Sequence, residues 1–461
     1  MRKPFLVVGV VSAFLLVAAA GPADSATQAK RDATVVAKRS HTRSRPPRAM
    51  IKYLMAHDAV SQPVAVRRLE LQARARAIVG RLGAVLGSRW GNSCFDRSTG
   101  AFDVGVVGGP AQASPARPYL ESQGIANETA FVPVRSSAAE LNAAKARLNT
   151  KLGALISQSA ATTGIDAEED EIVLALASNL PVAQIAEVEA EAKAESVKVE
   201  VVPTPPEELI SEPLSCQNRP WRGANLLACA KPLRGGVGLM DLSTNVLCSL
   251  GFIVTDNTKE YVMTAGHCGA RQTGHSWQAG SSNFQESLGN YQFIGNEMNY
   301  YVGSEGDVGF ITINTASSPW FPVSNPSEVA SLNPQGYWGS NENQYLENIA
   351  WSSQNGVACF TGTRSDTQCG EIRLLGQTQD IGEGYGVVNH LVLTTMCADH
   401  GDSGGTVWGN HSGLGMVESR ILGGNPACGG YYTYYTEAIQ DLWYTGKGRI
   451  KFYVPPYGET Y

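Results

Sequence analysis

Gly401-Asp402-Ser403-Gly404-Gly405 constrains what this chain can fold into more than any other stretch. Three glycines around one serine permit a tight turn that aims backbone N–H groups into a cavity and leaves the serine Oγ exposed. A nucleophilic hydroxyl and a cradle for a developing oxyanion both need that arrangement. Around this loop, residues 216–461 are rich in Gly, Ser, Asn and Tyr. Short β-type runs punctuate them, such as Gly-Phe-Ile-Val at 251–254, Phe-Ile-Thr-Ile at 310–313 and His-Leu-Val-Leu at 390–393, separated by turn signals. That spacing argues an all-β barrel or sandwich.

Two further pieces gain meaning beside the serine. A β-run from Tyr261 ends in Thr264-Ala-Gly-His267-Cys268, and a histidine at a strand end projects into a cleft. Asp307 stands at the mouth of an apolar strand, Gly306-Asp-Val-Gly-Phe310. Taken alone, such a histidine is more often structural and such an aspartate is usually a turn residue. Together with Ser403 they supply a nucleophile, a base and an orienting carboxylate. The glycine-flanked serine also satisfies Gly-x-Ser-x-Gly, the nucleophile elbow of α/β-hydrolases. That fold needs Ser, then an acid, then His along the chain. Here the only histidine after Ser403 is His411, with no acid between them, whereas His267, Asp307 and Ser403 run in the opposite order.

These three motifs resemble chymotrypsin-like serine proteases, and more closely the secreted bacterial branch, the streptogrisin and α-lytic protease group. The run Cys248-Ser-Leu-Gly-Phe252, the three residues between Cys397 and Gly401, and the helix-like Thr436-Glu-Ala-Ile-Gln-Asp-Leu442 are similar to that branch. The resemblance covers about 234–444 and, more weakly, 90–202 as a propeptide. It implies an all-β fold, a chymotrypsin-like double β-barrel with a C-terminal helix, preceded by a small α/β prodomain. It also implies that Ser403 attacks the scissile carbonyl, His267 carries the proton, Asp307 orients the imidazole, and the N–H groups of Gly401 and Ser403 hold the oxyanion. Asp402 resembles a family residue that pairs with a buried cation. The disulfides implied are Cys248–Cys268, Cys359–Cys369 and Cys397–Cys428. Cys216 and Cys229 are left for each other by elimination, and Cys94 remains odd. Protein or peptide substrates follow, with the propeptide as folding aid and inhibitor. Two departures from the family stand out: Thr406 where Pro is usual, and Glu418 and Arg420 in the expected pocket wall, facing either the pocket or solvent.

The remaining chain reads as a leader and a folded prosegment. Residues 1–20, extending to about 26, have a basic start, an apolar run and a small-residue end, the pattern of a secretory signal. Residues 27–89 read as a basic flexible arm followed, over 51–89, by helix. Between 90 and 204 we expect a hairpin around 96–100, a strand at 131–134, a helix at 138–156, a strand at 172–176, a helix at 182–194 and a strand at 197–201. These form two successive strand-helix-strand units. No histidine lies between 58 and 266, so no nucleophile–base pair is available there. Thr204-Pro-Pro-Glu-Glu208 is a linker, and 205–461 is taken as the protease domain. Processing is expected either within 202–215 or at the bond between Arg234 and Gly235.

Charge and cysteines limit the partners. The chain has 461 residues, 36 Lys+Arg against 42 Asp+Glu, and 12 basic against 20 acidic residues beyond position 215. Such a balance excludes strong nucleic-acid binding as the main task. Neither Cys-x-x-Cys nor His-Glu-x-x-His occurs, so no metal and no cofactor is expected. A monomer is expected, with no membrane contact in the mature form. The reading from another class is a catalytically silent secreted binding or adhesion protein on a protease scaffold.

Overall fold

The computed structural model describes residues 45–194, 197–202, 235–270, 274–279, 293–296, 298–314, 344–382 and 384–444, with Leu233 and short strands at 208–209, 212–213, 328–329, 451–454 and 459–460. The expected signal, the basic arm and the Cys216–Cys229 pairing lie outside the described residues.

Ala59 and Pro63 divide the first apolar-periodic segment into two helices where the sequence suggests one. α1 (Arg48–His57) ends at Asp58, and Ala59 turns the chain at φ 53°. α2 (Gln62–Leu86) restarts with a proline in its first turn, where a missing N–H costs nothing. β1 (Trp90–Phe95) and β2 (Phe102–Val107) form the expected hairpin, closed by the Asp96 carboxylate accepting from Ser98 and Thr99. After α3 (Arg117–Ser122), β3 (Thr129–Val134) lies parallel to β2. A capping box of Ser137 and Glu140 starts α4 (Ala138–Lys151), and α5 (Gly153–Ile156) follows. Next come β4 (Ala161–Asp166), β5 (Glu171–Ala177), α6 (Val182–Ala194) and β6 (Val197–Val202). β5 and β6 are parallel across α6, a true strand-helix-strand unit. The first expected unit is not one, because β3 and β5 belong to different sheets. β4 stands between them, and its Thr162-Thr163-Gly164 centre lacks the apolar pattern that marks a strand.

Two linker strands, β7 (Glu208–Leu209) and β8 (Glu212–Pro213), precede the first barrel. That barrel uses β9 (Gly238–Asp241), β10 (Val246–Ser249), β11 (Phe252–Thr255), β12 (Glu260–Thr264), β13 (Trp277–Ala279), β14 (Phe293–Gly295), β15 (Met298–Gly303) and β16 (Gly306–Thr312). They form two sheets, ordered β14-β13-β9-β10-β8 and β15-β16-β12-β11. Leu239, Leu250, Ile253, Val262, Trp277 and Ile311 fill the space between them, all fully buried. β17 (Glu328–Val329) pairs with β18 (Gln344–Tyr345), and β19 (Asn348–Ile349) leads into the second barrel. Its strands are β20 (Val357–Gly362), β21 (Asp366–Asp380), β22 (Val387–Thr394), β23 (Thr406–Gly409), β24 (Ser412–Asn425) and β25 (Gly430–Glu437). Their order is β20-β23-β24-β25-β22-β21, and β21 returns to pair with β20, closing the ring. α7 (Ala438–Tyr444) follows as the expected C-terminal helix, then β26 (Lys451–Val454) on β11 and β27 (Glu459–Thr460).

The α/β part shares its sheet and core with the second barrel. β4 pairs antiparallel with β21, Leu375 opposite Ile165 and Thr378 opposite Thr163, so β4-β5-β6 extends the barrel sheet. The Lys145 ammonium from α4 donates to the same Thr378 at 2.7 Å. Around the other side, α1 and α2 bury Met50, Ile51, Leu54, Ala65 and Leu69 in one cluster with Phe252, Trp408 and Met416. Arg76 of α2 is buried, and its guanidinium donates to the Val357 carbonyl while Gln72 accepts from the Val357 N–H. Space for that guanidinium depends on Gly409, where an added Cβ would stand 2.3 Å from Arg76 Nη1. A free strand edge is an open row of donors and acceptors, and here α2 satisfies both groups of Val357.

Leu69→Ala should therefore destabilise the chain by about 2–5 kcal/mol. Val64→Ala on the exposed face of the same helix should change stability by less than about 0.5 kcal/mol. Urea unfolding of the two variants checks the difference.

Candidate active site

The first barrel brings His267 and Asp307 together through strand pairing. β12 and β16 are antiparallel neighbours with Thr264 opposite Gly309, and the turn Gly266–Cys268 follows directly from β12. Only glycine fits at 266, since a Cβ there would stand 2.4 Å from the Tyr301 carbonyl and 2.8 Å from Asp307 Oδ1. The carboxylate of Asp307 accepts twice from the same residue, from the His267 backbone N–H at 2.8 Å and from ring Nδ1 at 2.5 Å. These two hydrogen bonds leave Nε2 aimed away from Asp307, at Ser403 of the second barrel.

Ser403 meets it there. Its Oγ lies 3.0 Å from His267 Nε2 and 3.3 Å from the carbonyl of Glu418. The serine loop is pressed against the first barrel by specific bonds. Ser249 N–H donates to the Ser403 carbonyl at 2.7 Å, and Ser249 Oγ donates to the Gly401 carbonyl at 2.8 Å. Gly404 sits at φ 81°, and a Cβ there would come within 2.1 Å of Thr264 Oγ1, so both conformation and space require glycine. His267, Asp307 and Ser403 are all buried.

Asp402, which resembles a residue that pairs with a buried cation in similar proteases, is surrounded here by main-chain donors. Asp402 accepts from the N–H groups of Arg364 and Ser365 on one oxygen and from Asp399 N–H on the other, at 2.8, 3.1 and 2.9 Å. Thr406 begins β23 as an ordinary strand residue, and its hydroxyl donates to the carbonyls of Leu250 and Gly251. The strand geometry that the missing proline left open is thus held by a bond between the barrels.

Glu418 and Arg420 have separate fates. Glu418 is buried, and one side-chain atom each of His267, Asp307 and Glu418 lie within 4.8 Å of one another. Among the described residues this is the only grouping of three side chains able to hold a metal ion, and it is built from the His–Asp pair itself. Ser419 Oγ donates to the Glu418 carboxyl. Arg420 lies instead beside Asp399 at 3.2 Å and over the Tyr431 ring at 4.5 Å. A glutamate in a β-run looks like a surface residue, and only the register of β24 turns it inward.

Further carboxyls stand behind the pair. Asp441 of α7 is fully buried, close enough that a Cβ on Gly306 would meet it at 2.3 Å. Burial, with a smaller contribution from the Asp307 charge, raises it well above the usual carboxyl range. Burial likewise pushes Glu437 up to about 7 and Asp402 up to about 6. Tyr385 closes the other side, donating to the His267 carbonyl at 3.3 Å.

Three disulfides are present, Cys248–Cys268, Cys359–Cys369 and Cys397–Cys428. The first braces the turn carrying His267, the second links register partners of β20 and β21, and the third ties the segment before Gly401 to the turn before β25. Cys94 is a buried free thiol, pushed up to about 12 by burial.

The Trypsin family model matches residues 237–441. Streptogrisin-D of Streptomyces griseus is 29% identical over 181 residues, 39% of this chain and 39% of that protein. Streptogrisin-A of the same organism is 27% identical over 194 residues, 42% of this chain and 54% of it. The matches thus span about two fifths to half the length of these relatives. A solved structure, Thermobifida fusca Protease A, is 21% identical, with 48% of this chain and 100% of that chain covered at a TM-score of 0.36.

A carboxyl raised in the folded state holds its proton more tightly there than in the unfolded chain. Its contribution to stability is complete below the ordinary carboxyl range and is lost as pH rises through the folded value. With Asp402 near 6 and Glu437 near 7, the Ser403→Ala chain should unfold at higher urea concentration at pH 5 than at pH 8. Equal midpoints, or a higher one at pH 8, would contradict the assignment.

Proposed function

With residues 237–441 forming a Trypsin-family domain of a chymotrypsin-like bacterial serine protease, we propose that the chain is an exported serine endopeptidase. It is made as a zymogen whose N-terminal part is removed by its own active site. The observation that carries this reading is the continuous chain of contacts from Asp307 through His267 to Ser403, at 2.5 and 3.0 Å. Such a chain is what general-base activation of a hydroxyl requires.

In this reading Ser403 Oγ attacks the carbonyl carbon of a peptide bond while His267 Nε2 takes its proton. Asp307 fixes the ring with Nδ1 protonated and stabilises the imidazolium that forms. Neither the Gly401 nor the Ser403 N–H donates to an acceptor among the described residues, which suits them to receive the oxyanion. His267 then returns the proton to the leaving nitrogen, and water repeats the sequence on the acyl ester. Export is supported by the apolar N-terminal run and the three disulfides. Zymogen character is supported by the burial of Ser403 and by the sheet that β4 shares with β21. A barrel of non-local strand pairings folds slowly unaided, and a prosegment paired to its sheet acts as template as well as inhibitor.

A fluorophosphonate should add once per processed chain, on Ser403, as read by peptide mapping. Casein hydrolysis should vanish in Ser403→Ala and fall by about four orders of magnitude in Asp307→Asn. Equal rates in these variants and the wild type would refute the enzyme reading.

A further inference from the structure

Glu418 places a second carboxylate beside the base of the active site. It is fully buried, and one of its oxygens, a His267 ring nitrogen and an Asp307 oxygen all lie within 4.8 Å of one another. Two carboxylates so close and shut off from water repel each other, and burying either is costly without a partner of opposite charge. Ser419 Oγ donates to Glu418 Oε2, but a hydroxyl carries no charge to offset either acid. His267 has to be neutral to accept the Ser403 proton, so in the resting enzyme it balances neither. Asp441, fully buried against Gly306, adds a third carboxyl to the same region.

The chemistry of this group suits zinc. Zinc takes imidazole nitrogen and carboxylate oxygen at about 2.0–2.2 Å, which sets tetrahedral ligand atoms about 3.3–3.6 Å apart. Atoms already within 4.8 Å close on such an ion by small side-chain rotations. A metal-bound histidine characteristically donates its other ring N–H to a carboxylate, which fixes the tautomer. Asp307 already holds Nδ1 at 2.5 Å in that way, leaving Nε2 as the ligand atom, with Ser403 Oγ 3.0 Å from it. No sequence motif announces the site, because its residues come from the turn after β12, from β16 and from β24.

Resting on the protease reading above, we infer that His267 Nε2 and the Glu418 carboxylate bind a zinc ion that reversibly switches this active site off. The ion takes the Nε2 lone pair that would otherwise accept the Ser403 proton, so Ser403 keeps its hydroxyl and no acyl-enzyme forms. Asp307 stays on Nδ1, water or Ser403 Oγ completes the coordination, and the charge of the ion offsets the paired acids. A chelator that removes the zinc returns the base. Calcium and magnesium, which select all-oxygen shells, do not substitute.

Nitrogen NMR of the ¹⁵N-histidine-labelled Ser403→Ala chain, equilibrated overnight with zinc chloride because the ligands are buried, tests the site apart from catalysis. One equivalent should shift the His267 ring nitrogens, while those of His57, paired with Asp58 at the surface at 2.8 Å, move only in excess zinc. Adding Glu418→Gln to that chain should weaken binding at least tenfold. In the wild type, zinc should slow casein hydrolysis and fluorophosphonate addition to Ser403 in parallel, EDTA should restore both, and calcium should affect neither. Glu418→Gln should need at least tenfold more zinc for the same inhibition, and where that variant does not fold, the Ser403→Ala spectrum and the wild-type comparison decide. His267 resonances unmoved in excess zinc, shifts at another histidine alone, or equal zinc inhibition of Glu418→Gln would overturn the inference. A wild type that neither cuts casein nor takes the fluorophosphonate, while zinc still shifts His267 in Ser403→Ala, would defeat the protease reading and leave the zinc site standing.

Discussion

The Asp307 carboxylate, buried and bonded twice to His267, is the interaction on which the rest of the structure turns. A buried carboxylate is costly unless donors surround it. Here the donors are the main chain and the ring of one residue, so satisfying the charge also fixes the direction of Nε2. Everything nearby serves that bond. The β12–β16 pairing brings the two residues side by side, Gly266 lets the carboxylate approach the turn, and Cys248–Cys268 holds the turn from behind. Asp441 stands buried behind the pair, and burial raises its carboxyl well above the usual range.

A second constraint comes from the way the N-terminal part is attached. α1, α2 and β4 complete cores and strand edges of the barrels instead of resting on a finished surface. Cutting the linker does not by itself remove such a partner, because its contacts are buried and spread over several elements. Contacts that complete the barrel edges thus come from the N-terminal part, β4 pairing with β21 and α2 bonding both main-chain groups of Val357.

The chemistry was more legible in the sequence than the architecture that carries it. Three motifs in the order His267, Asp307, Ser403 were enough to single out those residues, because glycine, serine and histidine at such spacings have few other uses. The short β-runs at 251–254 and 310–313 were also plain. What the sequence could not show were relations between distant segments. β4 has no apolar alternation because both its edges are paired, so Thr162 and Thr163 are as buried as neighbouring apolar residues. Glu418 looked like a residue with a choice of faces, and the register of β24 against β23 and β25 made that choice. Asp402 had no partner legible in the sequence, and the turn at Arg364 and Ser365 brings backbone donors to it that no motif would reveal. The helical character of 51–89 was plain from its apolar spacing, but that stripe names no partner, so its packing against Phe252, Trp408 and Met416 was not.

The central claim is that Asp307 holds His267 with Nδ1 protonated and Nε2 placed to accept from Ser403. Proton NMR of the chain labelled with ¹⁵N-histidine tests it most directly. The account predicts one strongly downfield, exchange-protected ring N–H resonance near neutral pH, assigned to His267 Nδ1 and lost in Asp307→Asn. A spectrum without that resonance, or one that keeps it in Asp307→Asn, would contradict the account.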